Sequence, residues 1–443
     1  MLNPNNKCIK NKSLICGLAA FLFIFSIGNA NAAAPPTKIY QAWYKFVLEL
    51  VRHTPTYTPP VASRTFAYFS IAAFEATASG SIALQPLNGQ LQNMPTSPKR
   101  ERGKTYDEAV VMHATMATMV DALFSNTGPT GQHAISTFTK TTESNVQKGV
   151  KKDVVKRSAL YGQKIANTIL EWAKSDGGST IDTMGFGGNY TLTKGPAHWV
   201  PTSTIGLQQK PLLPLWGKNR SFAMPNSSSC KLPSPPEYSE DKNSEFFKQA
   251  MEVVDAKKNL TPDQKAFARF WSDDAMLSVT PPGHWISIAL QILEQQNAEI
   301  DKTADVLARL TIAEADAFIG CWHAKYQYDF LRPITYIRRV IDPKWESLIN
   351  TPPFPEYPSG HSTQSAAAAL VLTQAFGENY AFTDDTGFKD GLKPRSFKSF
   401  AAAAEEAGIS RLYGGIHFRA AIDNGLVQGR CIGAFANALK TRK

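Results

Sequence analysis

The stretch EYPSGHST, residues 356–363, places a serine, a glycine and a histidine where a helix is predicted to begin. Ser359 is a good N-cap, and Gly360 lets a backbone N–H approach a ligand closely. The free N–H groups at a helix start bind anions, and His361 stands where it can exchange a proton with the bound group. Taken alone, the stretch is more typical of an ordinary Pro-Ser-Gly turn with a surface histidine.

A second group of basic residues lies upstream, in KYQYDFLRP. Lys325 and Arg332 are seven residues apart, on a helix that is predicted to end near Pro333. At about 100° per residue, seven steps return to nearly the same face, roughly 10 Å along the axis, so both cations can reach one cavity. Taken alone, the pair is more typical of a solvated basic face.

A third group lies further along the chain, in ISRLYGGIHF. Gly414-Gly415 is expected to interrupt the helix, so that Arg411 ends one helix and His417 begins the next segment, both facing inward. As a lone pair they are more typical of a buried histidine beside a C-terminal arginine. Together, however, the three groups supply fixed cations, hydroxyl and backbone donors, and imidazoles. A tetrahedral oxyanion with several negative charges requires this set.

The motifs K-x6-R-P (325–333), P-S-G-H (358–361) and S-R-x5-H (410–417) follow one another along the chain. In this order and without a substitution, they resemble the signature of the type 2 phosphatidic acid phosphatase and vanadium haloperoxidase superfamily. Residues 52–76 and 270–285 further resemble its exported bacterial haloperoxidase-like branch, whereas residues 80–240 match only loosely. Phe354 resembles a residue of chloroperoxidase-type members, and is equally consistent with an aromatic packing residue in a proline-rich loop.

The resemblance implies a role for each residue of the three motifs. His417 would take the axial position, either as the ligand to vanadium in vanadate or as the nucleophile on phosphorus, and His361 would be the acid–base residue. Asp274, in WSDD, is a candidate carboxylate that orients Arg411, although a capping role for it or for Asp273 is equally consistent with the sequence. The residues that would hold the oxyanion are Lys325, Arg332, Ser359, Gly360, Arg411 and His417.

Two enzymatic functions share such a pocket. With vanadate as cofactor, the resemblance implies a haloperoxidase that forms a peroxovanadate at His417 and oxidises a halide with hydrogen peroxide. Without a cofactor, it implies an exported acid phosphatase that hydrolyses a phosphate ester through a phosphohistidine at His417. A non-catalytic anion-binding protein would need the cations but not two imidazoles. The long, multi-helical chain favours the haloperoxidase-like function, because the lipid phosphatases of the superfamily are short and span the membrane several times.

The elements that position these residues are predicted to be helices. Apolar residues recur three and four apart in 104–124 and 153–174, and helical patterns resume from 243 onward, including DQKAFARFWSDDAM at 263–276. No long run has strand periodicity, so we predict an all-α fold of two packed helical bundles. The predicted divisions are a signal peptide (1–32), an N-terminal helical half (33–240) with a long irregular segment (176–240), and a C-terminal helical half (241–443) that carries the motifs.

Residues 1–32 have the pattern of a cleavable signal peptide: a basic lead, an apolar segment of about 15 residues, and small residues at Ala30-Asn31-Ala32. We therefore expect a periplasmic or secreted protein without a membrane span after residue 32. Cleavage removes three lysines and no acid, which lowers the formal charge from +10 to +7. The remaining basic residues are spread along the chain, which argues against nucleic acid as a partner.

The expected partners are small molecules, either hydrogen peroxide with a halide or a phosphate ester. Three cysteines remain after cleavage, Cys230, Cys321 and Cys431, and their spacing does not suit a metal site. At most one internal disulfide can form among them. The sequence leaves open which pair forms it, and it leaves the oligomeric state open.

Overall fold

The fold is mostly α-helical, as predicted. The computed structural model describes residues 35–179, 190–203 and 209–443, so the predicted signal peptide lies outside the described residues. Two three-residue strands, β1 (Phe382–Asp384) and β2 (Arg395–Phe397), form a small antiparallel pair beside the helices. Over the described ranges, no helix combines the length and the apolarity needed to cross a membrane.

The N-terminal helices surround one central helix. Their bounds are α1 (Pro36–His53), α2 (Pro59–Ala78), α3 (Glu108–Leu123), α4 (Pro129–Val146) and α5 (Lys152–Ala173). Helix α2 is buried without interruption from Thr65 to Ala78, and most of the residues in that stretch are apolar. The amphipathic helices α1 and α5 cover this side of the molecule, and α5 agrees with the periodicity of the sequence. Helix α3 was also predicted to be amphipathic, but it is buried continuously from Ala109 to Met116.

The C-terminal helices carry the motif residues at their ends. Their bounds are α6 (Glu245–Lys258), α7 (Pro262–Phe270), α8 (Thr280–Gln295), α9 (Ile300–Tyr328), α10 (Pro333–Val340), α11 (Gly360–Phe376), α12 (Phe400–Tyr413) and α13 (Arg419–Asn437). Helix α11 packs closely on α13 because Gly425, Gly429 and Gly433 form a groove at four-residue spacing. A Cβ at Gly429 would lie only 2.1 Å from the carbonyl oxygen of Thr363.

Two predicted helices are shorter than the sequence indicated. The segment 263–276 is helical only to Phe270, because Asp273 and Met276 adopt left-handed backbone conformations (φ 47° and 67°) that end the helix. Helix α9 ends at Tyr328 rather than near Pro333, since Asp329 is also left-handed (φ 48°). The seven-residue spacing had predicted that Lys325 and Arg332 lie on the same face of one helix. Because α9 ends between them, they do not.

A continuous apolar core joins the two predicted halves, running from Ile39 on α1 to Leu439 beyond α13. A buried carboxylate and a disulfide are among the contacts that hold the irregular segment against this core. Asp316, buried on α9, accepts hydrogen bonds from the backbone N–H groups of residues 222–224 at 2.6–2.8 Å. Cys230 forms a disulfide with Cys431 on α13, and Cys321 is a buried free thiol. The structure thus selects the pairing that the sequence had left open.

Candidate active site

The residues of the three motifs converge at one buried place, where several helices end. The pKa of the His417 imidazole lies well below its usual range, because burial disfavours its charged form and nearby cations oppose it further. Those cations are the side chains that the motifs predicted to be its neighbours. The groups whose charges act on His417 are Arg332, Lys325, His361 and Arg411.

Lys325, in the last turn of α9, is completely buried and binds the loop that leads into P-S-G-H. Its ammonium group donates to the carbonyl oxygens of Pro355 (2.9 Å), Glu356 (2.9 Å) and Pro358 (2.5 Å). An ammonium group has three donors, so all of them are used by this loop. Lys325 therefore fixes the path of residues 355–358 and contributes its charge to the site.

Arg332 approaches from the N-cap of α10 and reaches the same place. Its Nε donates to the carbonyl oxygen of Phe354 (3.0 Å), and its Nη1 to that of Ile416 (2.9 Å). Nη1 also lies 3.2 Å from Nε2 of His417. Nη2 is buried without a partner among the described residues. The hydrogen bonds of Nε and Nη1 thus hold the guanidinium in place, and Nη2 is left as a donor for a ligand.

His417 lies between α12 and α13, after the interruption that the paired glycines predicted. Gly415 is left-handed (φ 78°), and Arg411 lies in the last turn of α12. Nδ1 of His417 is 2.8 Å from Oε1 of Glu356, and the same oxygen accepts the backbone N–H of Phe418 at 2.9 Å. Glu356 is completely buried, and burial raises its pKa to about 7 against the opposing effect of the nearby cations.

The serine, glycine and histidine of P-S-G-H occupy the first turn of α11. Ser359 is the N-cap, and its Oγ accepts from the backbone N–H of Ser362 at 3.3 Å, as expected for a capping serine. Over the described part of the chain, the amides of Gly360 and His361 have no acceptor, as is normal at a helix start. Nε2 of His361 is also buried without a partner among the described residues. Several N–H groups in this turn can therefore receive an anion.

Arg411 is buried to the same extent as Arg332 and is anchored on its outer side. Its Nε donates to Oγ of Ser410 (2.9 Å), and its Nη2 to the carbonyl oxygen of Ala268 at the back of α7 (2.7 Å). Burial lowers its pKa to about 10, while Asp273 and Asp274 act in the opposite direction. Within the described residues, no ion pair shorter than 4 Å joins Arg411 to either carboxylate, and Asp274 is exposed to solvent. The carboxylates act on Arg411 through space rather than by direct contact.

A buried histidine that the sequence reasoning did not assign lies behind Arg411. Nδ1 of His284 is 2.9 Å from Oδ2 of Asp273, and its Nε2 is 2.7 Å from Oδ2 of Asp384 at the end of β1. Burial alone lowers the pKa of His284, but the two carboxylates together raise it to about 10. The ring also stacks on Trp271 at 4.7 Å. This cluster ties the chain after α7 to α8 and to the strand pair.

Aromatic rings form the remaining wall beside the cations. Nζ of Lys325 lies 5.1 Å and Cζ of Arg332 lies 5.0 Å from the centre of the Phe354 ring, which packs on Trp322 at 4.9 Å. These contacts are short enough for cation–π attraction. Phe354 therefore lies against two cations of the site and packs on Trp322, in agreement with the prediction of an aromatic packing residue.

Comparison with known proteins agrees with the motifs and extends beyond them. Residues 305–442 match the family described as the second helical-bundle domain of VCPO. A solved bacterial vanadium-dependent iodoperoxidase is 34% identical to this chain, with a TM-score of 0.84, over 94% of this chain and 99% of its own. This chain belongs to the vanadium-dependent haloperoxidase family. Members of this family are enzymes, and the predicted superfamily membership is confirmed.

Two further proteins share less with this chain. Vanadium chloroperoxidase from Curvularia inaequalis is 32% identical over 141 residues, which are 26% of this chain and 23% of that protein. The chain thus matches less than a quarter of the length of that curated relative. A holo-type bacterial vanadium-dependent chloroperoxidase has a TM-score of 0.72 at 16% identity, over 93% of this chain and 98% of its own, and so shares the fold.

The structure brings together the motif residues that the sequence selected and adds others. Glu356 stood in the quoted stretch EYPSGHST, three residues before Ser359, and a carboxylate so close to a cation cluster was a usable signal. His284 stood in TPPGHW, but nothing in its spacing pointed to Asp273 or Asp384. Those contacts depend on how β1 folds back against α8.

Proposed function

We propose that this protein is a vanadium-dependent haloperoxidase, which uses bound vanadate to oxidise a halide with hydrogen peroxide. The observation that carries the proposal is the convergence of three buried cations and two imidazoles on the helix start at Ser359. The similarity over nearly the whole chain to a bacterial iodoperoxidase supports it.

The donors of the site fit an oxyanion such as vanadate. Nη2 of Arg332 and Nε2 of His361 are buried without partners among the described residues, and such orphaned polar atoms are costly unless a ligand satisfies them. The amide of Gly360 and the hydroxyl of Ser359 add donors from the helix start. Vanadate would be held by Arg332, Ser359, Gly360 and Arg411, with Nε2 of His417 as the vanadium ligand. Lys325 would add its charge.

The protein's own groups divide the remaining work. Arg332 and Arg411 are fixed by backbone carbonyls, so their charges are in place before a ligand arrives and need little reorganisation. Burial, followed by the charge of Arg411, holds the pKa of His361 well below its usual range, so its imidazole is neutral and can accept a proton at the oxyanion site. When bound, vanadate activates hydrogen peroxide for the two-electron oxidation of a halide to hypohalous acid.

The halide of first choice is iodide, because the relative that is 34% identical to this chain is an iodoperoxidase. The second candidate is an acid phosphatase. An unprotonated Nε2 on His417, facing a cluster of cations, also suits attack on the phosphorus of a phosphate ester. Phosphate and vanadate have the same shape and charge requirements, so the site by itself accommodates both.

A paired assay on the purified protein tests the proposal. One arm measures peroxide-dependent oxidation of iodide, bromide and chloride, and the other measures phosphate release from an aryl phosphate, each with and without added orthovanadate. We expect orthovanadate to create the first activity, for iodide above all, and to suppress any activity in the second. If orthovanadate only inhibits phosphate release, the protein is a phosphatase and the proposal is wrong.

Export to an oxidising compartment is part of the proposal. The disulfide between Cys230 and Cys431 supports it, because such bonds persist mainly in periplasmic and extracellular proteins. N-terminal sequencing of protein recovered from the periplasm or the medium tests it, with a mature start after Ala32 as the expected result.

A further inference from the structure

The carboxylate of Glu356 is in a position to decide which nitrogen of His417 carries the proton. Its Oε1 lies 2.8 Å from Nδ1 of His417 and receives the backbone N–H of Phe418 at 2.9 Å. Glu356 and His417 are 0% and 2% exposed, so water does not compete for these bonds. A histidine ring that binds through one nitrogen is commonly oriented by a hydrogen bond at the other.

The direction of this hydrogen bond follows from the bond beside it. A backbone N–H can only donate, so the oxygen that faces Phe418 is an acceptor. The same oxygen also faces Nδ1. When Glu356 is ionised, its oxygens can only accept, so Nδ1 is the donor and carries the proton. When Glu356 is neutral, the assignment holds with the carboxyl proton on Oε2, which has no partner among the described residues.

The opposite nitrogen is then free to bind. With the proton on Nδ1, Nε2 of a neutral imidazole carries a lone pair, and it faces Nη1 of Arg332 at 3.2 Å. A lone pair at Nε2 is required for a bond to vanadium. The opposite tautomer would place a hydrogen at that position, against a cationic donor.

We propose that Glu356 is a positioning residue, which keeps the proton of His417 on Nδ1 and aims the lone pair of Nε2 at the oxyanion place beside Arg332. The inference rests on the proposed function, because it takes Nε2 of His417 as the atom that binds the oxyanion. Glu356 has no direct contact with the bound group in this role. Its effect passes through the imidazole.

Two measurements on the vanadate-free protein test this role. The ¹⁵N chemical shifts of the His417 ring, assigned with a His417→Gln variant, report which nitrogen is protonated. Calorimetric titration with orthovanadate gives the dissociation constant without any turnover. Both are made for the natural protein, for Glu356→Gln, which keeps an oxygen acceptor of similar size, and for Glu356→Leu, which has none.

We expect a protonated Nδ1 and an unprotonated Nε2 in the natural protein, and a mixture of the two tautomers in Glu356→Leu. The dissociation constant for orthovanadate should rise about 10- to 100-fold in Glu356→Leu, and by a smaller factor in Glu356→Gln. Asp316→Asn is the matched control, since Asp316 is another buried carboxylate that accepts backbone N–H groups. It should lower the melting temperature and leave orthovanadate affinity unchanged.

The outcomes separate this inference from the proposed function. Equal tautomers and equal affinities in the natural protein and Glu356→Leu would overturn it, and so would a proton on Nε2 in the natural protein. If Glu356→Leu does not fold, the spectrum of the natural protein and the affinity of Glu356→Gln still decide. A protein that binds orthovanadate as expected but oxidises no halide would refute the proposed function and leave the role of Glu356 intact.

Discussion

Nη1 of Arg332 lies 3.2 Å from Nε2 of His417, inside a site where both side chains are buried. A proton on Nε2 would set two positive charges against each other without water between them, which explains why the imidazole is neutral. An oxyanion in this place would pair with the cations and raise the pKa of His417 again. Anion binding and proton uptake are therefore coupled at this site.

The capping serine of α11 has two separable roles. Ser359→Ala removes a helix cap and a donor to the oxyanion, whereas Ser399→Ala removes only the equivalent cap of α12, where Oγ accepts from Ala402 N at 3.1 Å. Each change should lower the free energy of unfolding by about 1 kcal/mol. Only Ser359→Ala should also weaken orthovanadate binding in a calorimetric titration. Equal affinities in the two variants would remove Ser359 from the oxyanion site.

The guanidinium of Arg411 matters for its shape as well as its charge. Arg411→Lys keeps the charge but loses the fork that bonds Ser410 and Ala268, so the cation is no longer held in place. We expect orthovanadate and phosphate affinity to fall at least about tenfold, which corresponds to ~1.4 kcal/mol. Arg430→Lys, at an exposed position on α13, is the control and should bind both anions normally. Unchanged phosphate affinity in Arg411→Lys would contradict the prediction.

Removal of the two imidazoles is expected to have different effects on orthovanadate affinity and on turnover. His417→Ala removes the atom assigned to vanadium, so orthovanadate affinity and turnover should both be lost. His361→Ala should retain most of the affinity and lose about 10²- to 10⁴-fold in turnover, because only proton transfer is removed. His133→Ala, on the exposed face of α4, should leave both quantities unchanged. Full turnover in both site variants would show that the catalytic assignment is wrong.

The cluster around His284 predicts how stability depends on pH. The pKa of His284 is about 10 in the folded protein and near 6.5 when unfolded, so its stabilisation is complete below pH 6.5 and is lost as pH rises toward 10. Urea unfolding at pH 7 and pH 10 should therefore show a larger drop for the natural protein than for His284→Gln. At pH 7, His284→Gln should be less stable by about 3–5 kcal/mol, because two buried carboxylates lose their partner.

His133→Gln, an exposed histidine for which no such cluster exists among the described residues, should follow the natural protein at both pH values. An identical pH dependence in His284→Gln and the natural protein would mean that the His284 cluster does not contribute this stabilisation.

The helical type of most elements and the order of the motifs could be predicted from the sequence, because both depend on residues that are close together in the chain. The period of apolar residues fixed the type of most elements, and the paired glycines correctly separated Arg411 from His417. The ends of α7 and α9 were placed wrongly because Asp273 and Asp329 take left-handed conformations that an aspartate adopts only where the surrounding fold supports it. The convergence of Lys325 and Arg332 was nevertheless predicted, although for a geometric reason that does not hold.

Long-range contacts set the limit of prediction from one sequence. The bond between His284 and Asp384 spans 100 residues, and that between His417 and Glu356 spans 61. The packing of α8, α11 and α13 brings such pairs together. A local sequence pattern does not predict this packing. The role of Glu356 was easier to predict from the sequence than that of His284, because Glu356 lies within the stretch that carries the P-S-G-H motif.

The disulfide gives the site a particular covalent topology. Cys230 and Cys431 are 201 residues apart, and every motif residue from Lys325 to His417 lies on the ring of chain that they close. A single cut by a protease anywhere in that ring leaves the two pieces covalently joined. Outside a cell, where proteases are common and fragments are quickly diluted, such a nicked protein keeps all of its oxyanion-binding groups on one molecule.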